Sequence, residues 1–488
     1  LIDALLEAAG TGLIRGMKDL GGGGLSTALS EVASSGGTGV DVELDQVRRR
    51  ESDMPPSEIM VSESQERMLL MLAQDSSEPI TKILDKYEVP YSVIGRVTGD
   101  GNLTIRWQGK VIADLPAEFV VKAPLIPWPS REPVSRRRAR RAVGSRQDIG
   151  RSIISLVASP NIASKRWVYQ QYDHEVGLRT VMKPGQHDAA LLRLPNGHML
   201  AVKGDGNSAQ CALDPYNGAA GCVAESCRNV VAVGGEPIAM VDHLQFGDPS
   251  DPGVYWSFSR SVQGMADYCT ALKIPVVGGK VSFYNEDSSK RAIKPSPISL
   301  VVGLVKDEKH VLPMGFASEG DTVVAVGETR AELGGSEYYR MLGSAEAGSS
   351  PKVDAASDAS LYGAVLKLIR NGWISSVHDC SRGGLAVALA EMCIAGGLGA
   401  RIDLKKVPSA CRRVEDTAFS ESHGRFVLAS RDAKRVARVL ADSGVPHSVI
   451  GEVKGRHLVL TSGEKLISEL DVVALQRGYE ESLPRLMD

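Results

Sequence analysis

Three short stretches of this chain carry side chains suited to chemistry on a phosphate-bearing substrate. In "KDLGGGGLS", Asp19 stands just before Gly21 to Gly24, and a segment of helical apolar spacing follows (Leu25, Ala28, Leu29, Val32). Glycines let the backbone approach a ligand closely, and a helix start aims free N–H groups at an anion. A carboxylate there can hold a Mg2+ that phosphate oxygens share. "SESQER" gathers Glu63, Ser64 and Gln65 behind the strand-like "EIMV", a set able to orient a polyhydroxylated substrate. "VDHLQFGDP" places Asp242 at the end of an apolar run, and "IPVVGGKVSFYN" places Gly278 and Gly279 after another. Asp and Gly-Gly at strand ends suit contacts to nucleotide phosphates. Each stretch also has a plainer structural reading: a helix start with a tight turn, a surface loop held by a Glu–Arg pair, an ordinary turn.

Other chemistries find no support. The chain has no GxxxxGK[ST], HExxH or GxSxG pattern, and its nine histidines show no metal-ligand spacing. A net charge of -3 gives no general pull toward nucleic acid or an anionic membrane. Aromatic residues make up only 5%, too few for a stacking-based single-strand binder. No apolar run approaches the ~18 residues that span a bilayer. Seven scattered cysteines without a CxxC pair suit a reducing, cytoplasmic location. The first residue is Leu1, with no signal-peptide pattern, so the sequence reads like part of something longer.

The elements that must position these residues occur twice. "DLGGGGLSTALSEVASSGG" from Asp19 returns as "DCSRGGLAVALAEMCIAGG" from Asp379, without a gap. "VSESQERM" from Val61 returns as "FSESHGRF" from Phe419, and "VPYSVIGRVTG" from Val89 as "VPHSVIGEVKG" from Val445. Order is kept throughout, which is the mark of a tandem domain duplication. Gln65 and Glu66 become His423 and Gly424 in the second copy, which suggests one site kept for substrate and one relaxed. The resulting domain expectation is a first C-terminal-type domain (B1) at 1–121 and a Pro/Arg-rich linker at 122–165. A nucleotide-binding domain (A2) follows at 166–308 and a second C-terminal-type domain (B2) at 309–488. The run Arg136, Arg137, Arg138, Arg140, Arg141 falls in the linker. A2 has no counterpart in the first part of the chain, so duplication alone leads one to expect an A1 domain before Leu1. Helices alternating with strands give an α/β (α+β) fold class.

"PSEIMVSESQERM", "KDLGGGGLSTALSE" and "GGEPIAMVDHLQFGDP" together make the chain resemble the small-type large subunit of phosphoribosylformylglycinamidine synthase, without that family's N-terminal domain. The resemblance implies paired aminoimidazole ribonucleotide synthetase-like A/B domains in an internal pseudo-dimer, with the active site between halves. It implies a ligase that uses ATP and glutamine-derived ammonia to convert formylglycinamide ribonucleotide to its amidine. A glutaminase subunit and a small accessory subunit would be partners. By motif, Asp19 matches a Mg2+ ligand. Glu63, Ser64 and Gln65 match a substrate-binding triplet, and Ser282 a substrate contact. Asp242 and Gly279 match ATP contacts. Lys280 is a departure: the family often has a metal-ligating Asn there, and an ammonium has no lone pair to offer. Lys280 is therefore expected to contact phosphate from the same cleft as Asp242 and Ser282, on a strand ending at the two glycines. The family's general-base histidine lies in the N-terminal domain, so no catalytic base is assigned here. Two rival readings are a non-catalytic nucleotide-binding scaffold and another ATP-dependent synthetase or kinase of the same superfamily.

Overall fold

A computed structural model describes residues 1–124, 126–133 and 148–488; the arginine run at 136–141 lies outside the described residues. The chain divides into two compact units, Leu1–Pro127 and Trp128–Asp488.

In the first unit, the strand Ile14–Asp19 pairs antiparallel with Met68–Leu72. A four-stranded sheet has the order Gly95–Thr98, Gly39–Glu43, Asn102–Trp107, Lys110–Pro116. The helix Gly24–Gly36 follows the glycine turn, and its Leu25, Ala28 and Leu29 are buried as their spacing predicts, whereas Val32 is only partly buried and Ala33 takes the next core position. "EIMV" is not a strand. It lies in the helix Pro56–Val61, where Pro56 occupies the first turn and Ile59 is the buried anchor.

Among its described residues the second unit has two sheets. Five strands run in the order Val276–Ser282, Glu236–Gln245, Ser296–Val305, Met199–Asp205, Ala190–Arg193. Seven run in the order Ser376–Asp379, Phe426–Ser430, Thr322–Val326, His447–Val453, Ala400–Asp403, His457–Ser462, Lys465–Asp471. The helix Pro215–Ala232 starts at an Asp214 cap and is buried on nearly every side. Its small residues (Gly218, Ala219, Ala220, Gly221, Cys222, Ala224) permit that close packing, and a helix buried all round needs no polar face.

Element by element, the seven-stranded sheet repeats the strands of the first unit, with one exception. Thr322–Val326 pairs with Phe426–Ser430 on one side and His447–Val453 on the other. Among the described residues the first copy has no strand corresponding to it, and its strands form separate sheets of two and four. This explains a difference between nearly identical sequences. "VPHSVIGEV" is a strand from His447, whereas in "VPYSVIGRV" only Gly95–Thr98 is a strand. Pairing, not propensity, decides.

The expected linker is in part a core element. Asp148 caps the helix Ile149–Val157 by accepting from the Arg151 N–H at 2.8 Å. Ile153, Leu156 and Val157 are buried in the second copy's core with Leu385, Leu389 and Leu475. Apolar residues at helical spacing behind an aspartate cap account for it. We therefore expect Ile153→Ala to cost about 2–5 kcal/mol in urea unfolding. A true linker position would stay within about 0.5 kcal/mol.

Candidate functional site

The residues singled out in the sequence fall into two groups, one in each compact unit. In the first unit, Asp19 ends its strand with its side chain 67% exposed. Its Oδ2 accepts from the Gly21 N–H at 3.2 Å. Glu63 Oε1 accepts from the Gly23 N–H at 2.7 Å, which ties the "SESQER" loop to the start of the helix Gly24–Gly36. The approach is so close that a Cβ on Gly24, at φ +57°, would overlap the Ser62 carbonyl oxygen. Ser62 and Ser64 hydroxyls share a hydrogen bond of 3.2 Å, and Gln65 Nε2 donates to the Glu63 carbonyl at 3.1 Å. Arg67 does not pair with Glu63. Its Nε donates to the Ser64 carbonyl at 3.0 Å and its Nη2 to that of Ser62. Glu63 holds the turn and Arg67 holds the loop.

The second copy repeats this geometry. Glu421 Oε1 accepts from the Gly383 N–H at 2.8 Å, Ser420 and Ser422 hydroxyls meet at 3.1 Å, and Arg425 Nε donates to the Ser422 carbonyl at 2.8 Å. Lys18–Glu31 at 2.8 Å recurs as His378–Glu391 at 3.2 Å. The surroundings differ. Glu421 also accepts from the Glu337 N–H at 2.8 Å and from Gln210 Nε2 at 3.2 Å. Asp379, the counterpart of Asp19, is 1% exposed. Arg382 stands where the first copy has Gly22, and it donates to the Gly206 carbonyl at 2.7 Å.

In the five-stranded sheet, Val276–Ser282 and Glu236–Gln245 run parallel, with Gly279 opposite Asp242, Lys280 opposite His243 and Ser282 opposite Gln245. A Cβ on Gly279 would overlap Asp242 Oδ1, so only glycine lets that carboxylate lie across the strand. Burial raises the Asp242 carboxyl, with the Lys280 N–H and His243 pulling the other way. Two expectations need correction. The strand does not end at the glycines but continues to Ser282. Lys280 and Ser282 share one face and Asp242 reaches over Gly279 on the other, because side chains alternate along a strand. They do not share one cleft. Lys280 is exposed, and Ser282 is tied down by Asn285 Nδ2, which donates to its carbonyl at 2.8 Å.

Sequence reasoning missed a set of charges beside the second copy: Arg228, Asp188 and His378, which are buried, and Asp205 and Glu225, which are partly buried. His378 Nδ1 lies 2.6 Å from Asp188, and although burial opposes its charge, Asp188 and Glu391 outweigh this and hold its pKa well above the usual range. The signals available in the sequence are departures within the repeat: His378 for Lys18, Arg382 for Gly22 and His423 for Gln65.

These features define a class. Residues 186–305 match the AIR synthase related protein N-terminal domain, and residues 1–108 and 318–462 match the corresponding C-terminal domain. The chain is thus a duplicated AIR synthase-like protein. It is 41% identical to phosphoribosylformylglycinamidine synthase subunit PurL of Methanocaldococcus jannaschii, over 100% of this chain and 67% of that protein. Identity to the subunit of Thermococcus gammatolerans is 42%, again over 100% and 67%. A solved structure of Thermotoga maritima PurL with ADP aligns at a TM-score of 0.66 and 25% identity, covering 93% of this chain and 66% of that one. The chain belongs to the PurL family of phosphoribosylformylglycinamidine synthase subunits, and it spans about two thirds of the length of these relatives.

Burial pushes the Glu421 carboxyl up to about 7 against the two backbone N–H groups it accepts from. Burial and neighbouring Glu225 push Asp205 up to about 7. An unfolded carboxyl releases its proton near pH 4.3, so between about pH 4.3 and 7 these two groups bind more protons in the folded chain than in the unfolded one. Their contribution to stability should therefore fall as pH rises through that window and level off above it, while His423 and His187, held neutral by burial, act in the opposite direction. Glu421→Gln should flatten the fall in urea titrations; an unchanged slope would remove Glu421 from the cause.

Proposed function

We propose that this chain carries out the ATP-dependent synthesis of formylglycinamidine ribonucleotide from formylglycinamide ribonucleotide and ammonia, a carbon–nitrogen ligase step of purine biosynthesis. Family membership supports the reaction. The single structural observation that carries the assignment of roles is the contrast between the two copies: the first keeps an exposed aspartate at an open glycine turn, and the second does not.

An amide oxygen is a poor leaving group. Transfer of the ATP γ-phosphoryl to that oxygen makes it a good one, ammonia then adds to the carbon, and inorganic phosphate departs with ADP already formed. Positioning and charge stabilisation do most of the work in such a transfer. Asp19 fits as one hard oxygen ligand of Mg2+, since its carboxylate is exposed at the glycine turn, where its Oδ2 accepts from the Gly21 N–H. The ion supplies neutralisation of phosphate charge. Ser64 and Gln65 orient the ribonucleotide, on a loop whose shape Glu63 and Arg67 maintain. Asp242 and Gly279 contribute to the nucleotide site in the second unit, and Ser282 and Lys280 to the opposite face of the same strand.

Ammonia comes from a separate glutaminase subunit of the synthase complex. A thiol nucleophile needs a lowered pKa. Burial instead pushes Cys269 up to about 11 and Cys393 up to about 12, and six of the seven cysteines are buried. Mg2+, ATP, the ribonucleotide and the partner subunits belong to this proposal. Among the described residues no helix is long and apolar enough to cross a membrane.

The test is phosphate release by the full-length protein given ATP, ribonucleotide and ammonium salt, with glutamine inactive in the absence of a partner. Asp19→Asn should lower the rate by roughly 10²-fold or more, the scale of one lost electrostatic contact. Asp379→Asn should lower it only a few-fold. Equal losses from both would contradict the assignment of the active copy.

A further inference from the structure

The second copy raises a question of charge. Asp379 is fully buried, and an uncompensated buried carboxylate is too costly to keep ionised. Its counterpart Asp19 is open, and the cation beside it, Lys18 at 4.0 Å, is already paired with Glu31 at 2.8 Å. Beside Asp379 the chain provides a cation of its own. Arg228 projects from the buried helix Pro215–Ala232 and is 0% exposed. Its Nε lies 3.5 Å from Asp379 Oδ2 and its Nη2 lies 3.7 Å from Glu225 Oε2. Neither nitrogen makes a hydrogen bond among the described residues, so the guanidinium acts here chiefly as charge.

The residues that differ between copies close the same space. His423, in place of Gln65, sets Nδ1 at 3.3 Å from Arg228 Nη1, and its ring covers Gly221, where a Cβ would overlap it. Arg382, in place of Gly22, reaches across to within 3.9 Å of Asp205 and 3.8 Å of Glu337. His378, in place of Lys18, joins Asp188 and Glu391. Asp188, His378 and Asp379 have ligand atoms close enough together to hold a metal ion. Both His378 nitrogens are nevertheless committed to carboxylates, which leaves no lone pair for an ion.

We infer that Arg228 is a built-in cation that takes the place of a divalent metal ion at Asp379, so that the second copy is charge-compensated and closed without metal. The comparison between copies rests on the reading of Asp19 as a metal ligand. An arginine suits the role because its charge is permanent and weakly hydrated, which makes burial less costly than for lysine. A permanent guanidinium also fixes the second copy in one state, while the first copy remains dependent on a bound ion.

The test compares Mn2+ binding, followed by the electron paramagnetic resonance signal of free Mn2+, and melting temperature in the chain as it stands. The wild-type protein and Asp379→Asn should bind the same number of Mn2+ ions. Arg228→Met, which keeps the volume and removes the charge, should melt lower. Mn2+ at about 100-fold its Kd should then raise its melting temperature by at least about 2 °C beyond any wild-type effect. Arg228→Met/Asp379→Asn should lose that rise. Loss of a Mn2+ ion in Asp379→Asn overturns the inference. So does a folded Arg228→Met that gains no Mn2+ effect, or one that stays unfolded in Mn2+, since the ion then cannot replace the guanidinium. Asp19→Asn, titrated in parallel, decides the Asp19 reading separately: loss of an ion there leaves the Arg228 comparison intact.

Discussion

A glutamate carboxylate bound to the N–H of the glycine that caps the following helix is the contact on which both copies depend. Glu63 makes it to Gly23 and Glu421 to Gly383. A helix start presents unpaired donors and a positive dipole end, so it takes an anion readily. Here the protein's own side chain supplies that anion. The contact joins two segments some 40 residues apart and brings the serine loop so close that only glycine fits at 24 and 384. The arginine four residues beyond each glutamate then holds the serine carbonyls. The loop's backbone is thereby fixed from both ends.

The same scaffold supports opposite electrostatics. In the first copy the aspartate at the strand end is open and the turn is all glycine. In the second, Arg382, His423 and Arg228 fill the space with fixed groups. Burying paired charges is rarely a gain in stability over apolar packing. What the pairs provide is definition: a carboxylate left over from duplication must be compensated once it is enclosed. Duplication thus yields one copy with an open aspartate and one with an enclosed, compensated aspartate.

The duplication, the glycine turn with its following helix and the paired serine loops were all legible in the sequence, because each rests on local spacing or on glycine. What escaped was set by long-range packing. "EIMV" reads as a strand by composition, yet Pro56 and the burial of Ile59 make it helical. The segment before Gly95 lacks the ladder partner that its twin before Gly451 has in Thr322–Val326. Lys280 was placed with Asp242, but the parallel register puts Gly279 there instead. Arg228 lies among small residues in "GCVAESCRN", and nothing in that string reveals that its partner is Asp379. The relation is 151 residues away in sequence and appears only when the helix packs against the second sheet.

The central claim is that the two copies divide the work, one open to a metal ion and one closed. Anomalous diffraction from crystals grown with Mn2+ and a non-hydrolysable ATP analogue tests it most directly. The account predicts a manganese peak within coordination distance of the Asp19 carboxylate and none at Asp379, with Arg228 in place. A peak at Asp379 with the Arg228 guanidinium displaced would contradict it.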